Sequence, residues 1–286
     1  RHLRVASITR HIYETGIQAI PIVSLIAFLI SVIIAYLSYA ALAARIDALP
    51  PAERSLLLTA AVLGRRFRLE TLRGVAGSDV GSGVQALIRR EFLAVDDDPR
   101  SPGRGQLAFV QDLVREVAYG TLARAERRAR HLRVAALLES LGDGDYTEPI
   151  AEHLLAAHRA AGSHADADEG SHLLTSLRAA ADGASALHAP DRALIHLQDA
   201  LGVADDVATR AELMEAAGTA ARAAARFDEA ERYLRDAARL RDEMSDTRAS
   251  ARVRAQLAAL LLQAQRSGPA LAELEAAWGD VAELPE

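Results

Sequence analysis

Few side chains in this sequence can do chemistry, and their spacing argues against most of it. Cysteine is absent, which excludes a thiolate nucleophile, a thiolate zinc site and a disulfide framework. Lysine is absent as well, so all 33 basic residues are arginine; a phosphate-loop lysine, a Schiff-base lysine and a Ser-Lys hydrolase are excluded with it. Gly81-Ser82-Gly83 and Gly103-Arg104-Gly105 have neither the spacing nor the lysine of a G-x-x-x-x-G-K-[ST] phosphate cradle. His153 and His158 stand five apart, off the i,i+4 spacing that sets two metal ligands on one helix face, and Glu152 lies beside rather than between them. His164, His172, His188 and His196 are scattered, and solvated or capping positions are expected for them. The residues predict no catalysis, no cofactor, no metal and no small-molecule substrate.

Arginine raises the question of nucleic acid. Arg89 and Arg90 fall at the end of a helical stretch, and Arg100 and Arg104 fall in a following turn, positions from which a winged helix can touch DNA. Glu91 and Asp96-Asp97-Asp98 neutralise that surface, and no basic stripe runs through it, so nucleic acid is not the expected partner. The denser Arg124-Ala125-Glu126-Arg127-Arg128-Ala129-Arg130 reads as the solvent face of a helix buried through Leu132, Ala135, Leu137 and Leu138.

The elements that position these residues follow from composition and charge. Half of the 286 residues are hydrophobic but only 4% are aromatic, so alanine and leucine carry the apolar content and favour helix over strand. A mainly α protein is expected, long enough for about two domains. Charge divides it further. Residues 1–45 carry four Arg against one Glu, residues 46–142 fifteen Arg against twelve acids, and residues 143–286 fourteen Arg against twenty-six acids. Three regions are predicted: a membrane segment over 1–45, a winged-helix-like module over 46–142 and a helical repeat array over 143–286.

No charged residue occurs from Thr15 to Ala44, and from Ile22 the stretch is apolar on every face. As a helix, residues 22–44 would reach about 34 Å, enough for a hydrocarbon core of about 30 Å. A transmembrane helix is expected, with residues 12–44 in contact with the bilayer. Its length and the lack of a small-residue cleavage site argue against a signal peptide. Arg1, Arg4 and Arg10 precede the span while Arg45 and Arg54 follow it, so the arginines assign no orientation. Ile8-Thr9-Arg10-His11-Ile12-Tyr13-Glu14-Thr15-Gly16 and Ile17-Gln18-Ala19-Ile20-Pro21-Ile22-Val23 resemble the start of the permease subunit of Mla-family phospholipid ABC transporters. The resemblance covers residues 8–39 and departs from that family at Ser31 and Leu37, where a glycine and a glutamine are expected. One span cannot build a permease, so the resemblance implies ancestry or fusion, and a permease remnant with an unrelated soluble part is one alternative.

In the middle region, Pro50-Pro51 opens a helix that Gly64 closes. Further helices are predicted over 69–76 and from Val80 to Phe92, the latter with Val84, Leu87 and Ile88 on one face. Phe92–Val95 and Gln106–Val110 flank a Pro/Gly turn and read as a β-hairpin. Three helices and a hairpin make a winged helix. The string Phe109-Val110-Gln111-Asp112-Leu113-Val114-Arg115-Glu116-Val117-Ala118-Tyr119-Gly120-Thr121-Leu122 then resembles the region after the ATPase domain in STAND-type, AAA-like signalling ATPases. Leu49-Pro50-Pro51-Ala52-Glu53 and Arg127-Arg128-Ala129-Arg130-His131-Leu132 share that resemblance, which covers residues 42–286. Such proteins are often fused to class III adenylate cyclases or LuxR-type regulators. Phe109, Gln111, Leu113, Arg115 and Tyr119 carry the motif, and Gln111 stands where many relatives have a histidine able to touch the nucleotide phosphate.

In the last region Ala-x-x-x-Leu-x-x-Ala recurs as Ala193-Leu197-Ala200, Ala230-Leu234-Ala237 and Ala270-Leu274-Ala277. A small residue stands twelve positions before each leading alanine: Ala181, Gly218 and Ala258. That layout resembles the tetratricopeptide repeat, in which small residues let helices A and B approach closely. Spacings of 37 and 40 exceed the usual 34, so either the loops between repeats are longer or the repeats are degenerate. Stacked pairs form a solenoid with a concave groove, and the acidic balance predicts a basic protein or peptide partner. The whole reads as a non-catalytic signalling fragment, begun at Arg1 rather than methionine and lacking its nucleotide domain, held at a bacterial inner membrane with its soluble part in the cytoplasm. A winged-helix transcriptional regulator is the second alternative.

Overall fold

The structure, a computed structural model, describes residues 5–77, 80–101, 103–142, 146–162 and 166–282. Arg1, Arg4, Pro102 and His164, and the side chain of Arg10, lie outside the described residues. The protein is mainly helical, and the chain forms two compact units, Arg1–Ala123 and Arg124–Glu286.

The first unit opens with α1, Val5–Asp47, in which Ser31 folds its hydroxyl back onto the Ala27 carbonyl at 2.8 Å. Large apolar side chains from Ile20 to Tyr39 are all exposed. Its last turns behave differently. Leu42 is 8% exposed and Ile46 fully buried, because they pack into the core that follows, so the apolar segment expected to end at residue 45 gives up its last turns to the next module. The ring of Phe92 lies 5.0 Å beneath the Arg45 guanidinium, which also donates to the Arg90 carbonyl at 3.2 Å.

Then come α2 (Pro51–Leu63), β1 (Arg66–Phe67), α3 (Leu69–Ala76), α4 (Gly81–Arg89), β2 (Leu93–Val95), β3 (Leu107–Phe109) and α5 (Asp112–Thr121). Proline at the first position of α2 and glycine after it set its ends. The run Leu56 to Val62 is wholly buried, its one hydroxyl, on Thr59, satisfied by the Ser55 carbonyl at 2.9 Å. β3 is the middle strand of an antiparallel sheet, with Phe67 opposite Leu107 and Leu93 opposite Phe109. Strand β1 was not foreseen, since two residues have no periodicity to read. The helix expected to run to Phe92 ends at Arg89, where Glu91 turns left-handed at φ 60°. A Cβ on Gly83 would come within 2.8 Å of Leu56 Cδ2, which is how closely α4 approaches α2.

The second unit is a row of antiparallel helices: α6 (Arg124–Leu141), α7 (Thr147–Ala161), α8 (Ala167–Ala186), α9 (Pro190–Val203), α10 (Val207–Ala223), α11 (Phe227–Glu243), α12 (Thr247–Gln263) and α13 (Ser267–Ala282). Helix α6 packs along α7, so the array begins at Arg124 and not near residue 143. An apolar face looks the same in sequence whichever neighbour covers it. The turns α8/α9, α10/α11, α11/α12 and α12/α13 share one geometry. His188, Ala225, Ser245 and Gln265 each adopt φ near 58°, and each turn repeats the same hydrogen bonds, such as Arg226 N to Ala221 O at 2.8 Å and Ala225 N to Arg222 O at 3.0 Å. From α10 to α12 the turns take three residues each, so of the two expected sources of the excess over 34 it is not the loops: the excess lies in helices of 17 residues.

Candidate functional site

The repeat positions found in sequence meet in space. Ala181, Ala193, Leu197, Ala200, Gly218, Ala230, Leu234, Ala237, Ala258, Ala270 and Ala277 are all buried. Gly218 faces Leu234 rather than a second small residue: an added Cβ would lie 2.7 Å from Leu234 Cγ and 3.5 Å from the Ala230 carbonyl oxygen. Leu274 departs from the pattern and is 41% exposed, because among the described residues no helix covers that side of α13. Trp278 and Leu271 are exposed on the same helix.

With the hairpins stacked, α8, α10 and α12 line one side of the array. A hollow of about 640 Å³ opens between α8 and α10, floored by Ala181, Leu197, Ala216 and Ala220 and rimmed by Asp182, Glu212 and Glu215. A second, of about 370 Å³, lies between α10 and α12 among Thr219, Arg222, Arg252, Ala255 and Gln256. Thr219 borders both, so the two form one groove. Ion pairs cross it from helix to helix. Arg178 on α8 meets Glu212 at 2.9 Å. Arg252 on α12 grips Glu215 with two nitrogens, at 3.0 and 2.8 Å, and Gln256 adds a third donor at 2.8 Å. The hydrogen bond that Arg252 donates to Glu215, then the charge of Glu215, raises the pKa of Arg252.

The acidic surplus is not concentrated here. Asp182, Glu212 and Glu215 share the groove with Arg178, Arg222 and Arg252, so the acidic balance from which a basic partner was expected is not a property of this groove.

Histidine placement also differs from expectation. His131 on α6 and His153 on α7 bring their Nδ1 atoms to 2.9 Å, and burial lowers the pKa of His153 to about 4. His196, expected at the surface, is buried with its Nε2 3.1 Å from Glu148. Its pKa is lowered, chiefly by burial, against the opposing charges of Glu152 and Asp199. His172 meets Glu139 at 3.0 Å, and His188 caps the α8/α9 turn. Among the described residues no three His, Cys, Asp or Glu side chains are grouped to hold a metal.

In the first unit, Phe109 is buried edge-on to Phe67, with centroids 6.1 Å apart. Leu113, Arg115 and Tyr119 are half-buried on α5, and Gln111 is exposed just before that helix. Of the four arginines weighed for nucleic acid, Arg90 is held by Glu53 at 3.1 Å, while Arg89, Arg100 and Arg104 are exposed. The loop between β2 and β3 folds around Asp96, which accepts from the Ser101 hydroxyl at 2.6 Å, with Arg66 3.6 Å away. The Ser101 bond first, then the Asp98 amide and Arg66, hold its pKa below the ordinary carboxylate value.

Neither the protein-family models nor the curated proteins compared with this chain give a match. Among solved structures, it is similar to a crystal structure of a signal transduction ATPase with numerous domains (STAND) protein with a tetratricopeptide repeat sensor, from Pyrococcus horikoshii. The TM-score is 0.31 at 14% identity, over 83% of this chain and 45% of that one. The chain thus spans less than half of that protein's length, and at this score the likeness carries no argument about function.

Proposed function

We propose that this chain is a non-catalytic regulatory part of a STAND-type signalling protein, whose tetratricopeptide-like array binds a segment of a protein partner in its concave groove. The carrying observation is the groove along α8, α10 and α12: open, alanine-floored, charged at its rim and continuous across two helix steps. A solenoid of stacked hairpins with one repeated turn supports the repeat reading. The order helix, strand, helix, helix and two strands with β3 central supports a winged helix for α2 to β3. Helix α1 is read as the membrane span: it is long and apolar enough to cross a bilayer, and its large apolar side chains from Ile20 to Tyr39 are unburied. On this reading the protein belongs at a bacterial inner membrane with the array in the cytoplasm.

A plug in the groove tests it. Thr219→Trp fills the space between the two hollows at an exposed position, and Arg239→Trp places the same bulk on α11, away from the groove. If the reading holds, the first variant loses a protein partner that the unchanged chain and the second variant both retain. Equal retention by all three contradicts it.

A further inference from the structure

We propose that the groove reads a dipolar peptide segment, with a basic side chain over the hollow between α8 and α10 and an acidic one over the hollow between α10 and α12. This rests on the groove reading above and adds the chemistry of its ligand.

The two hollows carry opposite charge. The charged side chains that line the larger are the carboxylates of Asp182, Glu212 and Glu215, with Arg178 at its edge beside Asp182 and Glu212, and those around the smaller are the guanidinium groups of Arg222 and Arg252. Much of this charge is already committed. Glu212 is paired with Arg178, and Glu215 with Arg252 and Gln256. Asp182 and Arg222 are exposed and have no ion pair among the described residues. One free anion and one free cation therefore stand on successive steps of the same groove, with alanine between them. A ligand that is basic throughout would meet Arg222, and one that is acidic throughout would meet Asp182.

The step sets a minimum spacing. Helices with a hollow between them stand no closer than the roughly 10 Å of a packed pair, and an extended chain advances about 3.3 Å per residue, so the two ligand charges should be at least about three residues apart. The alanine floor of Ala181, Ala216 and Ala220 leaves room for the backbone and the aliphatic stem of a long basic side chain.

Three fluorescein-labelled octapeptides on an alanine and serine background test this by anisotropy with the full chain in detergent. One carries a lysine and, three positions on, a glutamate; one carries two lysines at those positions; one carries two glutamates. The mixed peptide is expected to bind about fivefold more tightly than either other. Asp182→Asn should weaken only peptides containing lysine, and Arg222→Gln only those containing glutamate. A two-lysine peptide that binds as well as the mixed one overturns the proposal, as do variants that weaken all three alike. If no peptide binds, the dipolar reading falls; the groove reading falls with it only if Thr219→Trp also retains the partner.

Discussion

Gly218 is the residue on which the close approach of α10 and α11 depends. With Leu234 Cγ 2.7 Å from where a Cβ would stand, Gly218→Leu should cost about 1–3 kcal/mol through overpacking, seen as a lower melting temperature. A melt like that of the unchanged chain would remove the repeat packing from this account. Ala225 predicts the opposite sign. At φ 59° it holds the left-handed position that closes α10, where glycine carries no Cβ penalty. Ala225→Gly should raise stability by about 1 kcal/mol after the added unfolded-state entropy of glycine, measured as a shifted urea midpoint. His153 brings a pH dependence. Its pKa falls from 6.5 to about 4 on burial, so between those values the unfolded chain binds the extra proton. Stability should be fully present above about pH 6.5 and fall as pH drops towards 4, and His153→Leu should flatten that slope. The alanine and leucine positions were legible because helical packing repeats within a few residues. The His131–His153 contact was not, since it joins residues on two helices with nothing in either to mark the other.

At the scale of elements, the array was legible as to its hairpins and not as to its start. Ala-x-x-x-Leu-x-x-Ala fixes which face of a helix is buried, whereas only the packing of α6 on α7 shows which unit α6 joins. The same limit applies to α1. An uncharged run marks where a span can lie but not where a helix re-enters a protein core. Burial of Leu42 and Ile46 makes the difference testable. Removing residues 1–41 should relieve any need for detergent while leaving a cooperative melt for the first unit. Removing residues 1–47 should abolish that melt, because α5 then loses the side chains that cover it. Equal melts for the two truncations would mean that the end of α1 contributes nothing to the module.

For the whole molecule, overall charge was a poor guide to the groove. The region from residue 143 carries a large excess of acid, yet the groove balances Asp182, Glu212 and Glu215 against Arg178, Arg222 and Arg252. A sum over a sequence has no direction, and helical stacking sorts charges by face. Absent lysine speaks more plainly at this scale, since no phosphate-loop lysine can be assembled by any fold of these residues. Calorimetric titration with ATP should give no binding heat, and a micromolar affinity would contradict the non-catalytic reading.

Site-specific photo-crosslinking in cells tests most directly whether the partner lies in the groove. A photoreactive residue at Thr219, between the two hollows, should capture a protein at high yield, and the same residue at Arg239 on α11 should not. Capture at Arg239 that equals or exceeds capture at Thr219 would contradict the account.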